Sequence, residues 1–244
     1  YKINKGVTNV TENDVTLCYT IIIRLMIDIG GKKMSLYLGK IHYWLFNKIV
    51  WFEGLEEEII TLAKNEGLNI ENLSKEINNK YGEKLPNLPL EEMIDTSNIH
   101  GWLQDKIHSA EGRLATWTGK LLEKENVSSK LESLYMNQGI KAAKEAKEEG
   151  KSVSNAVEIF NAVNDYILDG MPCDRVNEVI SQDENKVVWK RRLCVHKDIW
   201  DAAYGDVNYF YTLRNLWITS FVNEVKKDFK YNVYENDEFS IERV

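Results

Sequence analysis

The sequence predicts an α+β protein in which an N-terminal antiparallel helical bundle precedes a small ββ-α-ββ unit with an antiparallel sheet. Two observations carry this prediction. Apolar residues recur every three or four positions through residues 34–169, as on the buried face of a helix. In residues 170–244 the period changes to two in two pairs of short segments, as in strands that bury one face.

The helical segment begins at Ser35 with an apolar stripe that continues to a stop signal at Gly67. A short helix is expected at residues 71–80, followed by a connector that contains two prolines. Three further helices each open with residues that cap helix N-termini. They are predicted from residues 95–97 to about 125, from 128–129 to 150, and from 152 to 170.

The C-terminal segment is predicted to contain two β-hairpins with helices between them. The turn at residues 183–185 separates the first two strands, and Asn236-Asp237 marks the second hairpin. Four strands with a helix across one face are enough for a stable sheet. The predicted strands are residues 174–181, 186–196, 229–234 and 239–244, and the predicted helices are residues 197–204 and 206–227.

The composition is that of a folded protein and argues against two classes of partner. Apolar residues make up 43% and aromatic residues 11%, unlike disordered chains. The net charge of −7 argues against nucleic acid, because a phosphate backbone attracts basic surfaces. The apolar run at residues 17–29 is shorter than the roughly 20 residues that span a bilayer, so no membrane partner is expected. Three scattered cysteines favour a reducing cytoplasm.

Residues 1–33 are a candidate spurious leader. The peptide at residues 30–33, Gly-Gly-Lys-Lys, can be encoded by a purine-rich stretch like a bacterial ribosome-binding site directly before Met34. The chain also opens with Tyr1, as a reading frame truncated upstream would. The alternative is a genuine short strand or helix that packs on the main body.

An internal repeat lies in the helical segment. Residues 41–55 and 99–113 share the pattern Ile-His-x-Trp-Leu-x-x-Lys-Ile-x-x-x-Glu-Gly. If the two copies pack antiparallel, each histidine approaches the glutamate of the other copy, and these four residues form a candidate metal site. The same residues also fit hydrogen bonds that lock two helices together, or a small-molecule pocket between them. The candidate metal ligands are His42, Glu53, His100 and Glu111.

The second predicted strand carries the candidate catalytic residues. In a strand, Arg192, Cys194 and His196 share one face, because every second side chain points the same way. A thiol beside a cation and an imidazole gains nucleophilic character. The alternative is a cysteine that packs as a small apolar side chain, with the charged residues facing solvent. The candidate ligand-binding residues are Cys173, Trp189 and Trp200.

The runs at residues 175–180, Arg-Val-Asn-Glu-Val-Ile, and 185–194, Asn-Lys-Val-Val-Trp-Lys-Arg-Arg-Leu-Cys, support a family assignment. Over residues 110–244 the chain resembles the L-2-amino-thiazoline-4-carboxylic acid hydrolase-like family. The resemblance implies a hydrolase for the C–N or C–S bond of a small heterocyclic or thiol-containing molecule. It implies a pocket between the bundle and the sheet, with Cys194 as nucleophile or ligand and His196 as base. The family's later cysteines are absent, which leaves Cys194 for the chemistry.

Two other functions fit the same sequence. One is a small-molecule-binding or sensing module without turnover, since one fold can serve binding or catalysis. The other is the metal-binding bundle. Apart from that metal, no cofactor is expected.

Overall fold

The computed structural model describes residues 38–203 and 205–244, and the candidate leader at residues 1–33 lies outside them. Residues 38–244 form one unit. The helical prediction for its first part is confirmed, although the helix predicted at residues 152–170 spans only Ala156–Asn164. It starts late because Asn155 caps its N-terminus. The helices are α1 (Lys40–Asn65), α2 (Ile70–Tyr81), the short α3 (Leu90–Met93), α4 (Ile99–Leu122), α5 (Ser128–Glu148) and α6 (Ala156–Asn164).

The two helices that carry the internal repeat, α1 and α4, run in the same direction. His42 and His100 meet near the two N-termini, and Arg113 of α4 pairs with Glu53 further along α1. The predicted antiparallel pairing of the repeat copies is therefore wrong. The physical reason is the connector: residues 66–98 include α2 and are long enough to return the chain to the start of α1.

The antiparallel neighbour of α1 is α5. Lys130, near the start of α5, pairs with Glu66 just after the end of α1. Trp51 of α1 donates its indole hydrogen to Glu145 near the end of α5. The bundle therefore combines an antiparallel pair with a parallel one.

The C-terminal part has the expected ββ-α-ββ arrangement. Its strands form one antiparallel sheet in the order β1-β2-β4-β3. The helix α8 packs against both α5 and β3, so it links the bundle to the sheet. The elements are β1 (Asn177–Gln182), β2 (Lys186–Arg191), α7 (Lys197–Ala202), α8 (Val207–Val225), β3 (Phe229–Val233) and β4 (Glu238–Arg243).

The second strand is shorter than the sequence predicts. It ends at Arg191 instead of continuing to residue 196. The strand stops here because its pairing with both neighbours stops. In these antiparallel ladders the first residue of β1, Asn177, lies opposite Arg191, and the first residue of β4, Glu238, lies opposite Lys190. Beyond these pairs one backbone hydrogen bond remains, from the Arg192 N–H to the carbonyl of Val176, and the chain then turns into α7 at His196.

The backbones of α5 and α8 approach each other closely at Gly139. A Cβ atom at that position would lie 2.3 Å from the carbonyl oxygen of Trp217. The glycine therefore lets α8 lie directly on α5. Of the helices in residues 38–203 and 205–244, none is both long enough and apolar enough to cross a membrane.

Candidate functional site

Four charged side chains form a buried cluster where α4, α7, α8 and the segment after α6 meet. His196, which precedes α7, has Nδ1 2.7 Å from Oε1 of Glu111 and Nε2 3.1 Å from Oδ1 of Asp169. Arg214 of α8 donates from both terminal nitrogens to the two oxygens of Asp169. We call Glu111, Asp169, His196 and Arg214 the charged cluster.

The charges of this cluster stabilise one another. Burial by itself lowers the pKa of His196, but Glu111 and Asp169 outweigh burial and raise that pKa to about 9. Burial by itself raises the pKa of Asp169, but Arg214 and His196 outweigh it and hold that pKa well below its usual range. His196 is therefore an imidazolium at neutral pH.

The prediction that Cys194 and His196 share one face of a strand is wrong. Residues 192–196 are not strand, so Cys194 and His196 do not share the face of a pleat. His196 is 1% exposed, whereas Cys194 is exposed. Both ring nitrogens of His196 bind carboxylates, so neither is available to take a proton from the thiol.

The other predicted residues of this region also lie in different surroundings. Arg192 is exposed and reaches Glu178 at 3.6 Å. Cys173 is exposed in a short 3-10 turn, Pro172–Asp174, and not on a strand facing Cys194. Trp200 is buried and donates its indole hydrogen to Glu111, which gives it a structural role in place of the predicted ligand contact.

The four candidate metal ligands do not come together. His42 faces His100, with 3.3 Å between the two Nε2 atoms. Glu53 binds Arg113, and Glu111 belongs to the charged cluster. The parallel course of α1 and α4 explains this, since it brings equivalent residues together and separates each histidine from the other copy's glutamate. In the described part of the chain, no three residues of the types His, Cys, Asp and Glu are grouped to hold a metal.

A cavity of about 30 Å³ lies between the sheet, α6 and α8, and we call it the sheet cavity. Its floor contains three aromatic rings from three strands. Trp189 of β2 lies directly opposite Phe239 of β4, with ring centroids 5.7 Å apart. Tyr231 of β3 lies within stacking distance of both, at 5.9 and 6.2 Å. Trp189 therefore lines the sheet cavity, and its role in binding a ligand stays a prediction.

Two guanidinium groups line the same cavity, from Arg191 and Arg214. Arg214 is fixed by Asp169 of the charged cluster. Arg191 lies over the ring of Tyr211, 3.6 Å from its centroid, and pairs at the surface with Asp237. Neither arginine is among the site residues predicted from the sequence. The alternation of β2 contained a signal for Arg191, because it places this cation on the buried face with Trp189.

The exposed thiol is connected to this cavity by one side chain. Tyr211 lines the sheet cavity with its ring and lies with its hydroxyl oxygen 3.1 Å from Sγ of Cys194, as donor to the sulfur. Cys194 therefore lies behind the part of the cavity wall that Tyr211 forms.

A second cavity, of about 40 Å³, lies between α1, α5 and α8. It shares Ile167 and Arg214 with the sheet cavity, so the Arg214 side chain borders both cavities. Tyr135 lines it, and its hydroxyl is buried with no hydrogen-bond partner among the described residues. The second cavity extends the apolar surroundings of the charged cluster towards the bundle.

Comparison with family models, with curated proteins and with solved structures finds no match to this chain. The resemblance to the hydrolase-like family therefore stays a prediction.

Proposed function

We propose that this protein binds a small planar molecule carrying a carboxylate, and that the ligand occupies the sheet cavity. The observation that carries the proposal is the position of two guanidinium groups, Arg191 and Arg214, beside three aromatic rings in one cavity. Arginine binds a carboxylate through two parallel hydrogen bonds, which makes it the favoured residue for recognising this group. Aromatic rings offer flat apolar surfaces on which a planar ligand stacks.

Arg191 is the residue that would recognise the carboxylate. Its side chain is 15% exposed, whereas its partner Asp237 is 52% exposed. A surface ion pair of this kind contributes about 0–1 kcal/mol, so a ligand carboxylate can replace Asp237 at little cost. Arg214 is bound at both oxygens of Asp169, so its charge is already paired and its side chain would form a fixed part of the cavity wall.

The ligand would enter past Arg191 and Tyr211. A volume of about 30 Å³ holds only about two water molecules, so the cavity must widen to admit a ring. Arg191 and Tyr211 are partly exposed and lie against each other at the cavity wall. Outward rotation of these two side chains would widen the cavity at this wall.

A hydrolase is the second candidate function, and the contact between Tyr211 and Cys194 favours it. In this mechanism the Tyr211 side chain moves aside, and Sγ of Cys194 attacks a carbon of the bound heterocycle and forms a C–S bond to it. The ring C–N or C–S bond breaks, and the thiol proton passes to the departing nitrogen or sulfur, which stays tethered to the adduct. Water then hydrolyses the adduct and regenerates the thiol. His196 is not the base in this scheme, because it already holds its proton between two carboxylates. The substrate class is the small heterocyclic carboxylates that the family resemblance implies.

The binding test uses benzoate and 2-amino-thiazoline-4-carboxylate as probes, with benzamide as the uncharged match for benzoate. We expect the two carboxylates to raise the thermal midpoint and to give measurable heats of binding, and benzamide to do neither. Arg191→Met should weaken carboxylate binding at least tenfold, since a hydrogen bond to a charged group contributes about 1.5–3 kcal/mol. Equal stabilisation by benzamide would contradict recognition of a carboxylate.

Lys190→Met is the matched control, because Lys190 is the neighbouring cation on the exposed face of β2. It should leave binding unchanged. Turnover is tested separately by incubating the wild-type protein and Cys194→Ser with 2-amino-thiazoline-4-carboxylate. Product formed by the wild type alone supports the hydrolase, and binding without product leaves the protein as a binding or sensing module.

Both described cysteines, Cys173 and Cys194, are free and exposed thiols. Exposed thiols persist in reducing compartments. We therefore propose that the protein functions in the bacterial cytoplasm.

A further inference from the structure

The internal repeat brings two histidines face to face, and neither the sheet cavity nor the charged cluster uses them. His42 is near the start of α1, and His100 is the equivalent residue near the start of α4. Because the two helices run parallel, the imidazoles meet with their Nε2 atoms 3.3 Å apart and their ring centroids 5.4 Å apart.

This separation is the one that a tetrahedral metal ion requires. Two nitrogen ligands, each about 2.0–2.1 Å from zinc, lie about 3.3 Å apart when the angle at the metal is near tetrahedral. The two Nε2 atoms therefore already have the spacing of two ligands of one ion.

We propose that His42 and His100 bind one Zn²⁺ ion, or a similar divalent transition-metal ion, through their Nε2 atoms. Water completes the coordination. Glu53 and Glu111, the carboxylates of the same repeat, are bound to Arg113 and His196 and do not take part.

The surroundings of His42 and His100 suit a bound metal ion. Both rings are partly exposed, so a hydrated ion can reach them without opening the core.

Metal binding is coupled to the first turn of α1. Nδ1 of His42 accepts a hydrogen bond of 3.0 Å from the backbone N–H of Gly39, so the ring proton lies on Nε2 and points towards His100. An ion that takes this place moves the proton to Nδ1, and the Gly39 N–H loses its acceptor. The bound ion thus releases a contact that holds the residue before α1.

The test is a calorimetric titration of chelator-treated, tag-free protein with ZnCl₂. We expect one ion per chain, with binding weakened at least tenfold in His42→Gln and in His100→Gln. The matched control is His108→Gln, since His108 is an exposed histidine of α4 bonded to Gln104 and should not affect binding. Circular dichroism and the thermal midpoint of each metal-free variant establish that it is folded.

Gly39→Pro supplies a test in the opposite direction. Proline removes the N–H that occupies Nδ1. It also requires φ to shift from −92° towards about −65° and restricts residue 38, while a Cβ atom at Gly39 meets nothing within 4 Å. This variant should bind Zn²⁺ more tightly than the wild type. The proposal is overturned if the wild type binds no Zn²⁺, or if binding persists in His42→Gln/His100→Gln.

Discussion

His196 and Glu111 form a buried hydrogen-bonded ion pair, with 2.7 Å between Nδ1 and Oε1, although 85 residues separate them along the chain. Glu111 belongs to α4 of the bundle, and His196 precedes α7 of the C-terminal part. The pair therefore fastens the loop after β2 to the bundle. A second consequence is that the imidazole of His196 has a structural role and does not activate the thiol of Cys194.

The pair predicts a loss of stability at alkaline pH. The pKa of His196 rises from 6.5 to about 9 on folding, so the folded state holds the proton more tightly. The resulting stabilisation, about 3 kcal/mol, is complete below pH 6.5 and is lost as the pH rises through 9. Urea unfolding of the wild type and His196→Gln from pH 6 to pH 10 measures this stabilisation as the difference between their free energies of unfolding. A difference that does not change with pH would contradict the imidazolium.

Lys48 predicts that the stability of the folded protein changes with pH in the opposite direction to the contribution of His196. This lysine of α1 is 5% exposed and lies over the ring of Trp44, and burial lowers its pKa to about 7 although Asp169 and Asp165 act against burial. The unfolded chain binds this proton more tightly, so the wild type gains stability as the pH rises from 7 towards 10.5.

Lys48→Met should therefore be more stable than the wild type at pH 6, and its advantage should shrink by about 3 kcal/mol by pH 9. The measurement is urea unfolding at both pH values. Lys40→Met, at an exposed position of the same helix, is the control and should show no such change. An advantage that stays constant would mean that Lys48 is charged throughout.

Arg113 predicts a large loss of stability on truncation. It is buried between Glu53 and Glu56, and burial raises the pKa of Glu56 to about 7 even with the guanidinium beside it. Arg113→Met leaves two buried carboxyl groups without a cation, which should cost about 3–5 kcal/mol at pH 8. The cost should fall at pH 5, where both carboxyl groups can protonate. Lys120→Met breaks an exposed pair with Glu123 and should cost less than about 1 kcal/mol in the same unfolding experiment.

Two glycines in helices predict opposite effects of the same substitution. Gly139→Ala places a methyl group against the carbonyl oxygen of Trp217 and should destabilise the protein by about 1–3 kcal/mol. Gly54→Ala meets nothing within 4 Å and should stabilise it by up to about 1 kcal/mol, because alanine favours a helix. Thermal unfolding of both variants measures the contrast. Equal effects would mean that α5 and α8 do not touch at Gly139.

Part of the candidate site was visible in the sequence. The alternation around Trp189 correctly predicts a buried face of β2, and the turn before it correctly predicts the hairpin with β1. The same alternation fails at Cys194, because a strand needs hydrogen-bonding partners as well as a pattern, and both partners end near Arg191. The roles of Asp169 and Arg214 had no local signal, since their partners come from other elements.

The amino-acid sequence by itself determined the α+β class, most helix and strand positions and the repeat that carries His42 and His100. These features follow from periodicity, capping and turn residues, which act over a few neighbouring positions. Only the tertiary structure decided that α1 and α4 run parallel, that His196 is bound by Glu111 and Asp169, and that Arg191 faces the aromatic rings of the sheet. The reason is that the partner of a buried charge depends on which elements pack together, and that choice belongs to the whole chain.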